Sequence, residues 1–133
     1  MKELKEQGFK NVTGFESGSD IGGIWDIKNT RSTCWPQLYA NISKLNFAYP
    51  DFPWQFNPEK ELYHASIKEV YDYLHKYATV FKLLDDIQFH SKVLQITPEK
   101  VHLTEDGEQK CAQWSMEYVL NGNKKKKRPL IVW

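Results

Sequence analysis

The stretch Ser66 to Leu84, "SIKEVYDYLHKYATVFKLL", constrains the fold more than any other part of the chain. Ser66 and Glu69 have the spacing of a capping box. The serine side chain can accept from the third helical N–H while the glutamate reaches back to the cap N–H. Ile67, Val70, Leu74, Tyr77, Ala78 and Phe81 then recur at helical spacing and define one apolar face. A short turn leads into "IQFHSKVLQI", Ile87 to Ile96, which is rich in strand formers. A strong helix running into a strand predicts a mixed α/β chain.

The N-terminal residues give the same pattern in weaker form. "KELKEQGF" reads as the last turns of a helix, with Gly8 as the left-handed residue that ends it. "NVTGFE" follows as a short buried strand, Val12 to Phe15, with Glu16 at its tip. Helix, glycine and strand make the second half of a βαβ unit. From Ser17 to Asn57 no helical period exists. Gly, Pro, Asn and aromatics alternate irregularly, which predicts a long ordered loop wrapped by its own side chains. Beyond Ile96 a hairpin is expected around Asp106-Gly107. Trp114, Met116, Tyr118 and Leu120 share one face of its second arm. "NGN" predicts another turn. "KKKKR", Lys124 to Arg128, reads as a solvated loop or tail, because no aromatics interleave it for base stacking.

Composition excludes several function classes. A net charge of +1 gives no global attraction to nucleic acid or anionic membrane. Cys34 and Cys111 belong to no CxxC or Cys/His cluster, so no metal site is expected. The charged N-terminus lacks an apolar signal-peptide core, and no apolar run reaches the ~20 residues of a membrane helix. A soluble, cytoplasmic protein is the expectation, and the sequons at Asn11 and Asn41 are chance matches. Asp85-Asp86 reads as a polar turn, and His90 and His102 as solvent-facing strand residues. No Ser-His-Asp or Cys-His constellation for nucleophilic catalysis occurs.

The residues with chemical promise cluster near the N-terminus. A carboxylate at a strand tip can accept hydrogen bonds from both hydroxyls of a ribose, which is the role open to Glu16. Gly22 and Gly23 leave a bare backbone that a ligand can approach. Trp25 can stack on a flat ring or fill the core. Taken singly each has a structural reading that serves as well. Together they form the pattern E-x(5)-G-G-x-W. This pattern resembles the second FAD-binding stretch of the flavin-containing monooxygenases and the related Baeyer–Villiger enzymes. "NISKLNFAYPDFPW" resembles the family's Asn, Ser-Lys, "Y-x-D-F-P" element, and the segment from Tyr63 to Ile96 resembles its helix and strand. The similarity runs from about Leu4 to Leu120.

The resemblance implies definite roles. Glu16 would hold the adenosine ribose of FAD, and Gly22, Gly23 and Trp25 would lie along the path from pyrophosphate to flavin. Asn41 would sit near the reactive edge of the flavin. His64 falls in the family's "H-x-S" stretch, and the backbone of Val93 would meet adenine. The implied fold is α/β: a partial Rossmann-like FAD-binding domain over residues 1–123, with an appended β-hairpin region and a basic tail over 124–133. The implied activity is FAD- and NADPH-dependent oxygenation of soft nitrogen or sulfur nucleophiles, or of carbonyl substrates. The family's first strand and its G-x-G-x-x-G turn would precede Met1, and its NADPH motif would follow Trp133. The chain therefore reads as an internal piece of such an enzyme, with weak or absent FAD retention and no NADPH oxidation of its own. Two rivals stand beside this reading: a non-catalytic piece that associates through an exposed sheet edge, and a nucleic-acid binder using Lys124 to Arg128.

Overall fold

The computed structural model describes residues 1–103 and 109–130, with side chains described for 1–99 and 114–126. Helices and sheets are mixed, and the chain divides into two compact units. One comprises Met1–Thr13 and Asp20–Ile87, the other Gly14–Ser19 and Gln88–Trp133.

In the first unit, helix α1 (Lys2–Glu6) ends as its sequence predicts. Gly8 adopts φ +89°, the Phe9 N–H donates to the Leu4 carbonyl, and the Gly8 N–H donates to that of Lys5. These two bonds make a Schellman motif, which satisfies carbonyls that the helix leaves without partners. Helix α2 spans Ile67–Val80, and its capping box is complete. The Glu69 N–H donates to Ser66 Oγ at 3.3 Å, and the Ser66 N–H donates to Glu69 Oε2 at 2.8 Å. Ile67, Val70 and Ala78 are buried as expected, and Leu74, Tyr77 and Phe81 are half-buried.

The long loop expected over Ser17 to Asn57 is corrected in one place. Tyr39–Ser43 forms strand β2 and pairs antiparallel with β3 (His64–Ser66), which runs straight into α2. The inward residues Ala40 and Ala65 are buried, and the Ile67 N–H donates to the Leu38 carbonyl. Aromatics of the loop pack on α2, where Tyr49 and Phe52 also meet Tyr77. Tyr73 stacks on Trp54 at 4.3 Å between centroids and meets Phe52 at 5.4 Å and Tyr49 at 6.1 Å. Its hydroxyl donates to the Phe52 carbonyl at 2.6 Å and accepts the Tyr49 N–H at 2.8 Å. Both the ring and the polar tip of Tyr73 are therefore satisfied by the loop.

In the second unit, β1 covers Gly14–Phe15, shorter than the expected Val12 to Phe15, and pairs with β4 (Ile87–Gln88). The expected strand from Ile87 to Ile96 is broken at Phe89-His90, where His90 takes φ +53° and lies in a bend. The chain then runs through β5 (Ser91–Leu103), β6 (Gln109–Leu120) and β7 (Asn123–Leu130), an antiparallel sheet in that order. The turn expected at Asp106-Gly107 lies outside the described residues. The one at "NGN" is present: Asn121 and Gly122 both take positive φ (48° and 82°) and Leu120 pairs with Asn123. Positive φ at two successive residues is the tight-hairpin geometry that Asn-Gly favours.

The reading of Lys124 to Arg128 as a loop or tail is therefore corrected: these residues lie within β7. Hairpin geometry overrides the charge, because a strand needs only alternate partners and β6 supplies them. Lys124 pairs with Val119, Lys125 with Tyr118 and Lys126 with Glu117, so successive lysines point to opposite faces. Lys124, Lys125 and Lys126 are exposed on a strand that has one neighbour among the described residues. Charged edge strands resist pairing with other chains. A K124T/K126T variant is expected to show concentration-dependent self-association by sedimentation velocity at concentrations where the parent chain shows none. Identical profiles would remove the edge-blocking role.

Candidate functional site

In the second unit, Glu16 immediately follows β1 and is fixed through its backbone. Its N–H donates to the Gln88 carbonyl at 3.1 Å, and its carbonyl accepts the Ser91 N–H at 2.7 Å. The half-buried side chain folds over the next turn. Oε1 accepts the Gly18 N–H at 2.5 Å and the Ser17 hydroxyl at 3.2 Å. Among the described residues Oε2 receives no hydrogen bond, so one edge of an oriented carboxylate is open to two further donors. Val93 lies on β5 opposite Tyr118 and is 36% exposed.

The other expected site residues belong to the first unit. Gly22 and Gly23 take φ +112° and +56°, and Gly23–Trp25 makes one turn of 3-10 helix. The two glycines differ in purpose. A Cβ on Gly22 would lie 2.9 Å from Cδ2 of Tyr71, so that position is closed by the protein's own ring. A Cβ on Gly23 would meet nothing within 4 Å, so its backbone faces open space. Trp25 is half-buried against Phe47, with ring centroids 5.9 Å apart. Asn41 is exposed on β2. His64 is exposed on the paired strand β3, with its Nδ1 2.9 Å from the Ala40 carbonyl. Asn41 and His64 are therefore on adjacent strands, among the exposed apolar side chains of Tyr39, Ile42 and Tyr63.

Two clusters carry no local sequence signal. In the first, the Lys44 side chain is 2% exposed, its ammonium 2.5 Å from Glu69 and over the rings of Trp54 and Phe56 at 5.7 and 5.3 Å. Burial raises the Glu69 carboxyl, but Lys44 and the Ser66 N–H and hydroxyl outweigh it and hold the group below its ordinary value. Lys44, Trp54 and Glu69 help line a cleft of about 460 Å³ together with Phe52, Tyr73 and Lys76. In the second, Asp20 accepts the Tyr71 hydroxyl on Oδ2 at 2.6 Å and its neighbour's Ile21 N–H on Oδ1 at 2.8 Å. His75 Nε2 lies 3.1 Å from the same Oδ1, enclosed but off the line of a hydrogen bond, and so pairs with it through charge when protonated. Burial raises Asp20, but the Tyr71 hydroxyl, the Ile21 N–H and His75 together bring it below the ordinary value.

The same hydrogen bond to Asp20 pushes Tyr71 up to about 12 from 10. The neutral phenol is the donor, so this bond stabilises the fold fully below pH 10. That stabilisation is lost as pH rises through about 12. Thermal melts between pH 9 and pH 12 are expected to fall less steeply for Tyr71→Phe than for the parent. Parallel curves would show that the bond does not form.

Among the described residues, no helix is long and apolar enough to cross a membrane, and no group of three or more His, Cys, Asp or Glu is placed to hold a metal ion.

The family model described as flavin-binding monooxygenase-like matches residues 2–130. The chain is 31% identical over 100 residues to a probable flavin-containing monooxygenase 1 of Arabidopsis thaliana, a match covering 70% of this chain and 18% of that protein. It is 31% identical over 114 residues to flavin-containing monooxygenase 1 of Mus musculus, covering 83% of this chain and 20% of the relative. Among solved structures, the S-allyl-L-cysteine S-oxygenase of Allium sativum superimposes with a TM-score of 0.70 at 19% identity, over 95% of this chain and 30% of its own. A steroid monooxygenase in its oxidised form bound to NADP gives 0.62 at 23% identity, over 93% and 21%. The mixed α/β fold is shared with these enzymes, and the chain spans about a fifth of the length of the curated relatives.

Proposed function

The chain belongs to the flavin-binding monooxygenase-like family, and from that premise we propose that residues 1–123 form part of a Rossmann-like FAD-binding domain. In this reading the carboxylate of Glu16 receives the ribose hydroxyls of the adenosine half, and the backbone of Val93 meets adenine. The bare backbone at Gly23 and the Trp25 ring line the path toward the flavin, while Asn41 and His64 flank its reactive edge. FAD, reduced by NADPH, would supply the oxygen-transfer chemistry. The substrate class is a soft nitrogen or sulfur nucleophile or a carbonyl compound, and the setting is cytoplasmic.

The supporting observation is the state of Glu16. A solvated surface glutamate has no need of two local donors to aim it. Here Gly18 and Ser17 hold one oxygen, and among the described residues the other receives no hydrogen bond. In the other unit, the open backbone at Gly23 supports its own proposed role, since a ligand can approach there without meeting a side chain. The task left to this chain is to bind and orient, since the cofactor carries the chemistry.

The test is FAD binding by the purified chain, followed by flavin fluorescence. Glu16→Gln keeps the shape and removes the charge that strengthens two hydrogen bonds. A charge-assisted bond contributes ~1.5–3 kcal/mol, so FAD affinity is expected to fall roughly 10-fold or more. Equal affinity in the two chains would reject Glu16 as the ribose ligand.

A further inference from the structure

We infer that Asp20, Tyr71 and His75 form a clamp that fixes the Gly22-Gly23 turn on helix α2. Tyr71 is then a positioning residue for the flavin site, an inference that rests on the function proposed above. Tyr71 acts on the turn in two ways at once. Its hydroxyl donates to Asp20 at 2.6 Å, two residues before the glycines. The edge of its ring lies where the Cβ of residue 22 would be, 2.9 Å from that point, so it forms the floor on which Gly22 rests. His75 stands one helical turn further on, its ring 4.5 Å from that of Tyr71 and its Nε2 3.1 Å from the other oxygen of Asp20. One carboxylate thus accepts a hydrogen bond from Tyr71 and is faced by His75, at i, i+4 spacing on the same helix face.

The turn beyond the clamp closes on itself through two backbone hydrogen bonds, one of them long. The Trp25 N–H donates to Gly22 at 2.9 Å, and the Asp26 N–H donates to Gly23 at a long 3.4 Å. Two successive residues with positive φ are intrinsically free to leave this conformation, because glycine takes either sign of φ at equal ease. Their geometry therefore depends on what anchors the segment: Asp20 holds it on the N-terminal side, while the Asn29 amide and Ser32 hydroxyl donate to the Gly23 and Ile24 carbonyls on the other. Losing the Asp20 anchor frees the backbone at Gly23 without disturbing the buried residues Ile67, Val70 and Ala78 elsewhere on α2.

Tyr71→Phe separates the two contributions, since it keeps the ring floor and removes the grip, while Asp20→Asn weakens the grip from the other side. Amide hydrogen exchange and FAD affinity are measured on the full 133-residue chain. The expected result is about 10-fold faster exchange at Trp25 and Asp26 in both variants, with Ala78 unchanged. FAD affinity is expected to fall several-fold, with the melting temperature at neutral pH lowered by only the few degrees that one lost hydrogen bond costs. Unchanged exchange at Trp25 and Asp26 would overturn the clamp. Faster exchange with unchanged FAD affinity would overturn its positioning role. If the parent chain binds no FAD, the positioning role falls, while the exchange data still decide whether the clamp exists.

Discussion

A Tyr73→Ala chain is expected to lose about 3–5 kcal/mol of stability, the range for removing a large buried aromatic. The ring of Tyr73 is 9% exposed and meets Trp54, Phe52 and Tyr49, so its removal leaves a cavity walled by rings that cannot collapse independently. Its hydroxyl also satisfies the Tyr49 N–H and the Phe52 carbonyl, and both lose their partner. Against a typical total of ~5–15 kcal/mol, the loss is a large fraction of what holds the fold. Urea unfolding measures it directly. Tyr73→Phe isolates the hydroxyl and is expected to cost about 1–2 kcal/mol, since only the two hydrogen bonds go. A Tyr73→Ala midpoint within error of the parent would mean that the loop from Phe47 to Asn57 does not pack on α2 as described.

Gly22→Ala is expected to damage both stability and the proposed site. At φ +112° an L-residue is strained by ~1–2 kcal/mol. The added methyl also falls 2.9 Å from Cδ2 of Tyr71, and relieving such an overlap costs a further ~1–3 kcal/mol. The ring cannot withdraw cheaply, because its hydroxyl is held by Asp20. The sum, roughly 2–5 kcal/mol, appears as a melting temperature lowered by about 10 °C. Gly23→Ala is the informative partner. It carries the positive-φ strain but meets no atom within 4 Å, so it is expected to cost about half as much. Equal losses for the two variants would contradict the assignment of a closed floor to one glycine and an open face to the other.

What could be read from the sequence was what is local. The capping box of Ser66 and Glu69, the buried stripe of α2, and the glycine that ends α1 each depend on residues within one or two turns, and all are present. Pairings between distant residues were not legible. Strand β2 looked like loop because "YANIS" has a partner only in "HAS", on the far side of the aromatic segment. Tyr73 fell off the expected apolar stripe because its place in the core is made by loop carbonyl and amide groups that no helical period records. The clamp joins Asp20 to Tyr71 across 51 positions, beyond any local spacing. The lysines of β7 were read as solvated, and Lys124, Lys125 and Lys126 are exposed. That they form a strand follows from their pairing with β6 across the Asn121-Gly122 turn, which the run of lysines does not itself record. At the site, Glu16 was placed correctly after a strand, though that strand is two residues long rather than four.

The central claim is that Glu16 recognises the adenosine half of FAD. The most direct measurement compares equilibrium binding of FAD with that of FMN, which carries the same flavin without adenosine, to the unmodified chain. The account predicts saturable binding with FAD preferred by about 10-fold, which corresponds to ~1.4 kcal/mol from the adenosine contacts. Equal affinities for the two flavins would contradict it.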